Sequence, residues 1–275
     1  MGLGTSLGIT ALSGAGGGGT LLLDLYGTNI AAAYSVRKLS STYSGAAIRV
    51  RRSSDNSEQD IGFDVNGDLD TSALTAFVGG NNGLIAKWYD QSGNSNDGVQ
   101  TNSSLQPHIV ASGTIRTQGG IPAVVQDTTI GNPSNQFLDV SAISAVHNFI
   151  VFYQPAAGGG RAYYAESATK KVSHDGFRID YEDGVNPRID GSTNIRTDYV
   201  LSEVKVLSGT ATSIINGSSD ASGTANVLQI EALMGNPTAG GGIVARMQEM
   251  LFFSADKSSD ASDIEDNLNT YYTIF

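Results

Sequence analysis

Residues 85 to 100 read Ile85-Ala86-Lys87-Trp88-Tyr89-Asp90-Gln91-Ser92-Gly93-Asn94-Ser95-Asn96-Asp97-Gly98-Val99-Gln100 and concentrate several kinds of side-chain chemistry. Trp88, the single tryptophan, and Tyr89 offer aromatic faces, and Asp90, Gln91 and Asn94 follow with a carboxylate and two amides. A sugar ring has both C–H and O–H surfaces, so flat apolar faces beside hydrogen-bonding groups suit it. Trp88, Tyr89, Asp90, Gln91 and Asn94 are therefore candidate glycan-binding residues. The same letters also describe a well-made strand connection. Short polar side chains bond nearby backbone, Gly and Asn tolerate positive φ, and large aromatics such as Trp88 anchor cores.

Other stretches match chemical motifs less well. Asp64-Val65-Asn66-Gly67-Asp68-Leu69-Asp70 places oxygen ligands at every second position, as calcium loops do. The sixth and twelfth places hold Leu69 and Thr75 instead of Gly and a bidentate Glu, so the alternative is that Asp70 caps a helix. Gly4-Thr5-Ser6-Leu7-Gly8 spells a nucleophile elbow without the strand and helix that give it meaning. His108, His147 and His174 lie far apart and match no metal-ligand spacing. Arg49, Arg51 and Arg52 could grip a carboxylate or phosphate, or pair with Asp55 and Asp60. No metal or cofactor is expected.

Composition bounds these readings. The 275 residues carry a formal charge of −11, contain no cysteine and are rich in glycine, with 34. An acidic surface repels phosphate backbones, which disfavours nucleic acid. No apolar run approaches the roughly 18 residues of a membrane span. The first basic residue is Arg37, so the charged start of a signal peptide is missing.

Many short apolar runs between turn formers predict an all-β sandwich. Residues 21–26 read as a strand. A helix is expected from Thr28 or Asn29 to Gly45, with Ala32, Val36, Leu39 and Tyr43 on one face. Residues 46–52 alternate as a half-buried strand, and 71–78 form a short helix with Leu74, Phe77 and Val78 inward. Further strands are expected at 107–110, 121–125, 136–140, 147–153, 161–166, 176–181, 188–190, 199–207, 212–215, 227–234 and 245–253. Asn216-Gly217 is a hairpin turn. A closing helix, capped at Ser259 or Asp260, presents Ile264, Leu268, Tyr271 and Tyr272. Residues 1–20 form a Gly-rich arm that anchors through Leu3, Leu7, Ile9 and Leu12, and residues 21–275 form one domain.

Two resemblances add to this. The order of a strand ending in Asn216-Gly217, a strand ending Leu233-Met234-Gly235-Asn236, then Met247-Gln248-Glu249-Met250-Leu251-Phe252-Phe253 and a helix ending Tyr271-Tyr272 resembles the closing half of concanavalin A-like, laminin-G-type jelly rolls. Ala33-Tyr34-Ser35-Val36-Arg37-Lys38-Leu39, Ile48-Arg49-Val50-Arg51-Arg52-Ser53-Ser54-Asp55 and Trp88-Tyr89-Asp90-Gln91-Ser92-Gly93-Asn94 look like the alpha-L-arabinofuranosidase B catalytic domain. The resemblance implies a concanavalin A-like β-sandwich (jelly roll) with a few short helices. It also implies two carboxylates about 5 Å apart, a Glu in a central strand and an Asp in a late loop.

At the matching places this chain departs from the pattern. Gly176-Phe177-Arg178-Ile179-Asp180 offers Asp175 and Asp180, and Met234-Gly235-Asn236-Pro237-Thr238-Ala239-Gly240 has no carboxylate. Asparagine does not donate a proton as a carboxylic acid does. The family's adjacent cysteines are absent, and Tyr163-Tyr164 is the nearest counterpart by loose alignment. Domains resembling this family recur in bacteriophage virion proteins. The expectation is thus a non-catalytic structural or attachment protein of a virion, not an enzyme, made in the host cytoplasm. Its expected partners are other virion proteins through the arm, further copies of itself and a cell-surface glycan. The alternative is an arabinofuranosidase-like glycoside hydrolase whose carboxylates come from Asp90, Glu166, Asp175, Asp180, Glu182 and Glu231.

Overall fold

The computed structural model describes residues 20–126, 136–153, 161–167, 169–174, 179–193, 195, 199–235 and 245–275. Helix α1 spans Leu22–Tyr26, followed by strands β1 Ile30–Ser35, β2 Ile48–Arg52 and β3 Glu58–Ile61, then helix α2 Thr71–Val78. Strands β4 Gly83–Trp88, β5 Gly98–Val99, β6 His108–Ala111, β7 Thr114–Ile115, β8 Thr117–Gln118, β9 Ile121–Pro122 and β10 Val124–Val125 come next. Longer strands follow: β11 Leu138–Ser144, β12 His147–Tyr153, β13 Arg161–Ser167, β14 Lys170–His174, β15 Ile179–Asp183, β16 Ile189–Asp190 and β17 Tyr199–Leu207. The chain ends with β18 Thr210–Ile215, β19 Ser218–Thr224, β20 Gln229–Leu233, β21 Arg246–Phe253 and helix α3 Ala261–Tyr272.

Every strand pairing among the described residues is antiparallel. One layer runs β16-β15-β14-β13-β20-β11-β5-β4-β2-β3. The other runs β19-β18-β17-β12-β21-β1. Along one side β10 pairs with both β21 and β6, and β6 pairs with β4, so the ladder passes from one layer to the other. This is the jelly-roll-like sandwich that the pattern of short strands predicts.

The central strands are buried on both faces, alternating inward and outward except at a bulge in β21 near Gln248. On β12, Ile150 and Phe152 enter the core between the layers, and Phe149 and Val151 point outward beneath α1 and α3. On β21, Met250 and Phe252 face inward, whereas Leu251 and Phe253 face the helices. Helix α3 closes the outer cluster with Ile264, Leu268 and Tyr272, as its periodicity predicts. Asp70 caps α2, its carboxylate accepting the Ala73 N–H at 2.8 Å. Asn216 and Gly217 take φ of 48° and 73° in the β18–β19 turn, as a tight hairpin requires.

The opening elements are exchanged relative to expectation. Residues expected as a strand form α1, and the expected helix after Thr28 contains strand β1. Strand β1 lies beside β21 with Ala32 and Tyr34 inward and Ala33 under the helices. Burial on both faces removes the polar alternation that marks a strand, leaving a run that also fits helical spacing.

A polar layer lies beneath α3. His147 is buried, and its Nδ1 accepts the Lys257 N–H at 2.9 Å, which leaves Nε2–H to donate to Glu203 Oε1 at 2.8 Å. Burial, then the neighbouring Glu203 carboxylate, push Glu265 on α3 up to about 7. Folded and unfolded chains therefore differ in bound protons between the usual value of 4.5 and about 7. The folded state holds the extra proton, so this stabilisation is complete below the lower value and is lost as pH rises through the upper one. Glu265→Gln should therefore raise stability at about pH 8 by about 1–2 kcal/mol, allowing for solvent screening. It should change little at about pH 4, and urea unfolding at the two pH values measures the difference. An equal effect at both would show that no proton is shared there.

Candidate active site

The loop after β4 is built as a staple. Trp88 is fully buried, and its Nε1–H donates to Ser35 O at 3.3 Å. Asp90 Oδ1 accepts from Ala33 N at 2.8 Å and Ser92 N at 2.9 Å, and Oδ2 accepts from Ser92 Oγ at 2.7 Å and Asn96 N at 3.0 Å. Gln91 accepts the Leu39 N–H and donates to Ser35 O and Arg37 O, while Asn94 donates to Ile30 O and Ala31 O. Tyr89 differs, since it is half-exposed and donates to Asp60 Oδ1 at 2.8 Å. The polar groups of Asp90, Gln91 and Asn94 thus tie β1 to the loop. Asp90→Asn turns an acceptor-only group into one that presents N–H to N–H, so it should cost about 2–3 kcal/mol. A lowered urea midpoint with unchanged m-value checks this.

Strand β15 carries a different arrangement. Ile179 and Tyr181 enter the core between the layers, so Asp180 and Glu182 take the opposite face by alternation. Cross-strand register sets Lys171 opposite Glu182 and Ser173 opposite Asp180. Lys171 Nζ lies 3.1 Å from the Glu182 carboxylate, and Ser173 Oγ donates to Glu182 Oε1 at 3.5 Å. The Glu182 side chain is 23% exposed, whereas Asp180 is buried, with Arg188 Nη1 3.8 Å from its Oδ2. Burial first, and the Asp180 charge second, hold the Tyr163 phenol proton well above the usual tyrosine range. Residues two apart on a strand have Cα atoms about 7 Å apart on one face, so Asp180 and Glu182 are neighbours there.

The remaining candidates are placed elsewhere. Glu166 pairs with Lys170 at 2.6 Å and accepts the Gln229 N–H at 3.0 Å, and Glu231 is exposed on β20. Asp175, the 236–240 loop and the arm residues Leu3, Leu7, Ile9 and Leu12 lie outside the described residues. Tyr164 accepts from Asn148 Nδ2 at 3.0 Å with its ring against Phe252, and Tyr163 packs on Phe152, so both belong to the core. In the calcium-like loop, Asp64 Oδ1 accepts the Asn66 and Asp68 N–H groups, which is turn geometry. Among the described residues no group of His, Asp and Glu is arranged to hold a metal ion, and no helix is long and apolar enough to cross a membrane. Arg49 pairs with Asp60 and Arg52 with Asp55, whereas Arg51 is buried against Gln106, Asn56 and Ser103.

Comparison with known proteins bears on this arrangement. Residues 23–130 match the profile of the family described as alpha-L-arabinofuranosidase B, catalytic. No curated protein matches the chain by sequence. A crystal structure of arabinofuranosidase complexed with arabinofuranosyl-α-1,2-xylobiose aligns with TM-score 0.63 at 16% identity, over 91% of this chain and 65% of that one. A GH54 α-L-arabinofuranosidase soaked with a cyclic sulfate inhibitor gives 0.61 at 17%, over the same shares. A Glu-to-Gln mutant of such an enzyme, soaked with 4-nitrophenyl α-L-arabinofuranoside, also gives 0.61. At such identities the likeness is one of fold, and the chain spans just under two thirds of those chains' length.

The fold is therefore that of an arabinofuranosidase catalytic domain. The expectation of a non-enzymatic virion component is overturned, because the profile matched by residues 23–130 is a catalytic domain and two structures alike over 91% of the chain are arabinofuranosidases. The strand expected at 176–181 continues as β15 to Asp183, which places Glu182, one of the six candidate carboxylates, within the strand.

Proposed function

We propose that this domain is a glycoside hydrolase acting on α-L-arabinofuranosyl groups, with Glu182 as the reacting carboxylate. The observation that carries the reading is Glu182 itself: a strand carboxylate open to solvent, held by Lys171 and Ser173, on the face away from the core. The family profile and the shared fold support the same chemistry.

In this reading Glu182 attacks the anomeric carbon, a C–O ester bond forms and the glycosidic bond breaks, its electron pair leaving with the departing oxygen. A water oxygen then bonds to the anomeric carbon as the ester C–O bond breaks, which restores the carboxylate, and the surplus proton of that water passes to solvent. Lys171 and Ser173 fix the attacking oxygens, and buried Asp180 with Tyr163 supports the strand beneath them. The test is hydrolysis of 4-nitrophenyl α-L-arabinofuranoside. Its phenolate leaves without needing a proton, so the first step needs no acid on the protein. Turnover above the uncatalysed rate supports the reading. No turnover across a panel of aryl arabinofuranosides and arabinosylated xylan would overturn it.

A further inference from the structure

A hollow between α1 and the loop after β4 takes no part in the chemistry at β15. It measures about 240 Å³, below the roughly 300–1,000 Å³ of pockets that hold larger ligands. Leu23 and Ile30 give it an aliphatic wall, Tyr43 contributes part of a ring, and Ser40, Thr42 and Ser92 add hydroxyls. No lining residue is charged, which argues against an ion as occupant, and the hydroxyls argue against a purely apolar one.

The rim is rich in acceptors. Ser92 Oγ donates to Asp90 Oδ2 and accepts the Asn94 N–H. Ser40 Oγ donates to Asp24 Oδ1 and accepts from the Thr42 N–H and the Thr42 hydroxyl. That leaves acceptor capacity on Ser92 and Thr42, whose protons are engaged, which suits a ligand bearing O–H donors. Gln91, in the wall, is locked by its bonds to Leu39, Ser35 and Arg37, so the hollow is formed before anything binds. Gly93, at φ +88°, has nothing within 4 Å of the place a Cβ would take, and the lip stays open there.

We infer that this hollow is a carbohydrate subsite that seats one pentose or hexose ring. Ring hydroxyls donate to the rim and a C–H face lies on Leu23, Ile30 and Tyr43. Six strand steps separate β4 from β15, about 29 Å along the sheet, so the subsite holds glycan at a distance from Glu182. It stands whether or not β15 cleaves anything.

The test is an amide-resolved NMR titration of the whole chain with L-arabinose and with D-xylose. Saturable shifts at Thr42, Tyr43, Ser92 and Gly93 with either sugar are expected. They should persist in Glu182→Gln and weaken at least tenfold in Thr42→Arg, which places a long side chain over the opening from an exposed position. Ser41→Arg, exposed but outside the lining, should bind as the parent does and shows that added charge alone is harmless. An absence of saturable shifts at these amides, or shifts unchanged in Thr42→Arg, would overturn the inference. Loss of binding together with loss of dispersed resonances is resolved by Thr42→Asp, a smaller change that should also weaken binding.

Discussion

Glu182→Gln should lower turnover of 4-nitrophenyl α-L-arabinofuranoside about 1,000-fold or more while leaving the urea midpoint nearly unchanged. The amide keeps the size of the side chain and its contacts with Ser173, but it is a poor nucleophile. Its pairing with Lys171 is partly exposed on both sides, and such pairs contribute about 1 kcal/mol or less. Activity and stability should therefore separate, which a structural carboxylate would not allow. Glu182→Ala extends the test. The shorter side chain leaves room for azide or formate to attack in its place, so added anion should restore part of the turnover. Recovery of an arabinosyl azide would identify attack at the anomeric carbon as the step lost. Unimpaired turnover in Glu182→Gln would move the chemistry away from β15.

Several elements with one face in water were legible in the sequence. Helix α2 shows its Asp70 cap and its apolar stripe in plain letters, as α3 does through Ile264, Leu268 and Tyr272. Strand β2, with Arg49 paired to Asp60, alternates as expected. Legibility fails where both faces are covered. Strand β1 lies between the inner core and the outer helices, so Ala31-Ala32-Ala33-Tyr34 carries no polar alternation and imitates a helix. The strands β14 and β15 are half polar for a different reason, since Lys171, Ser173, Asp180 and Glu182 share one face. The sequence carries β15 as a strand at 176–181 but leaves β14 without one, because a row of charges reads as a loop when the facing row on the next strand is unknown. Pairing, which is a long-range property, turns it into a site.

The loop after β4 shows the converse. Its letters suggested a binding surface, yet Asp90, Gln91 and Asn94 reach backbone groups of residues 30 to 39, more than fifty positions earlier. What sequence supplies is a donor and acceptor inventory. Whether those groups face a ligand or a neighbouring strand depends on partners far away in the chain. The hollow beside the loop is lined partly by the same segment, so one short stretch both fixes β1 and shapes a concavity.

Arg37→Met should destabilise the domain by about 3–5 kcal/mol, the largest effect expected of any single surface-to-core substitution here. Glu249 on β21 is fully buried, and its Oε2 accepts from Arg37 Nε at 2.9 Å, Ser35 Oγ at 2.8 Å and Tyr272 OH at 2.8 Å. Arg37 Nη2 reaches Glu249 Oε1 at 3.2 Å and Asn267 Oδ1 at 2.8 Å, with the guanidinium 4.5 Å from the Tyr271 ring centre. Glu249 and its neighbours hold the Arg37 proton above the usual arginine range against the opposing effect of burial. Removing the cation leaves a carboxylate in a site water does not reach, and two hydroxyl donors cannot replace a charge. The cost is the stranded partner and not the net worth of the pair, so Arg37→Met combined with Glu249→Gln should recover much of the loss. Urea unfolding of the two single variants and the double variant measures the coupling. Additive losses would mean that Arg37 and Glu249 act independently, and that α3 is held to the sandwich by its apolar face alone.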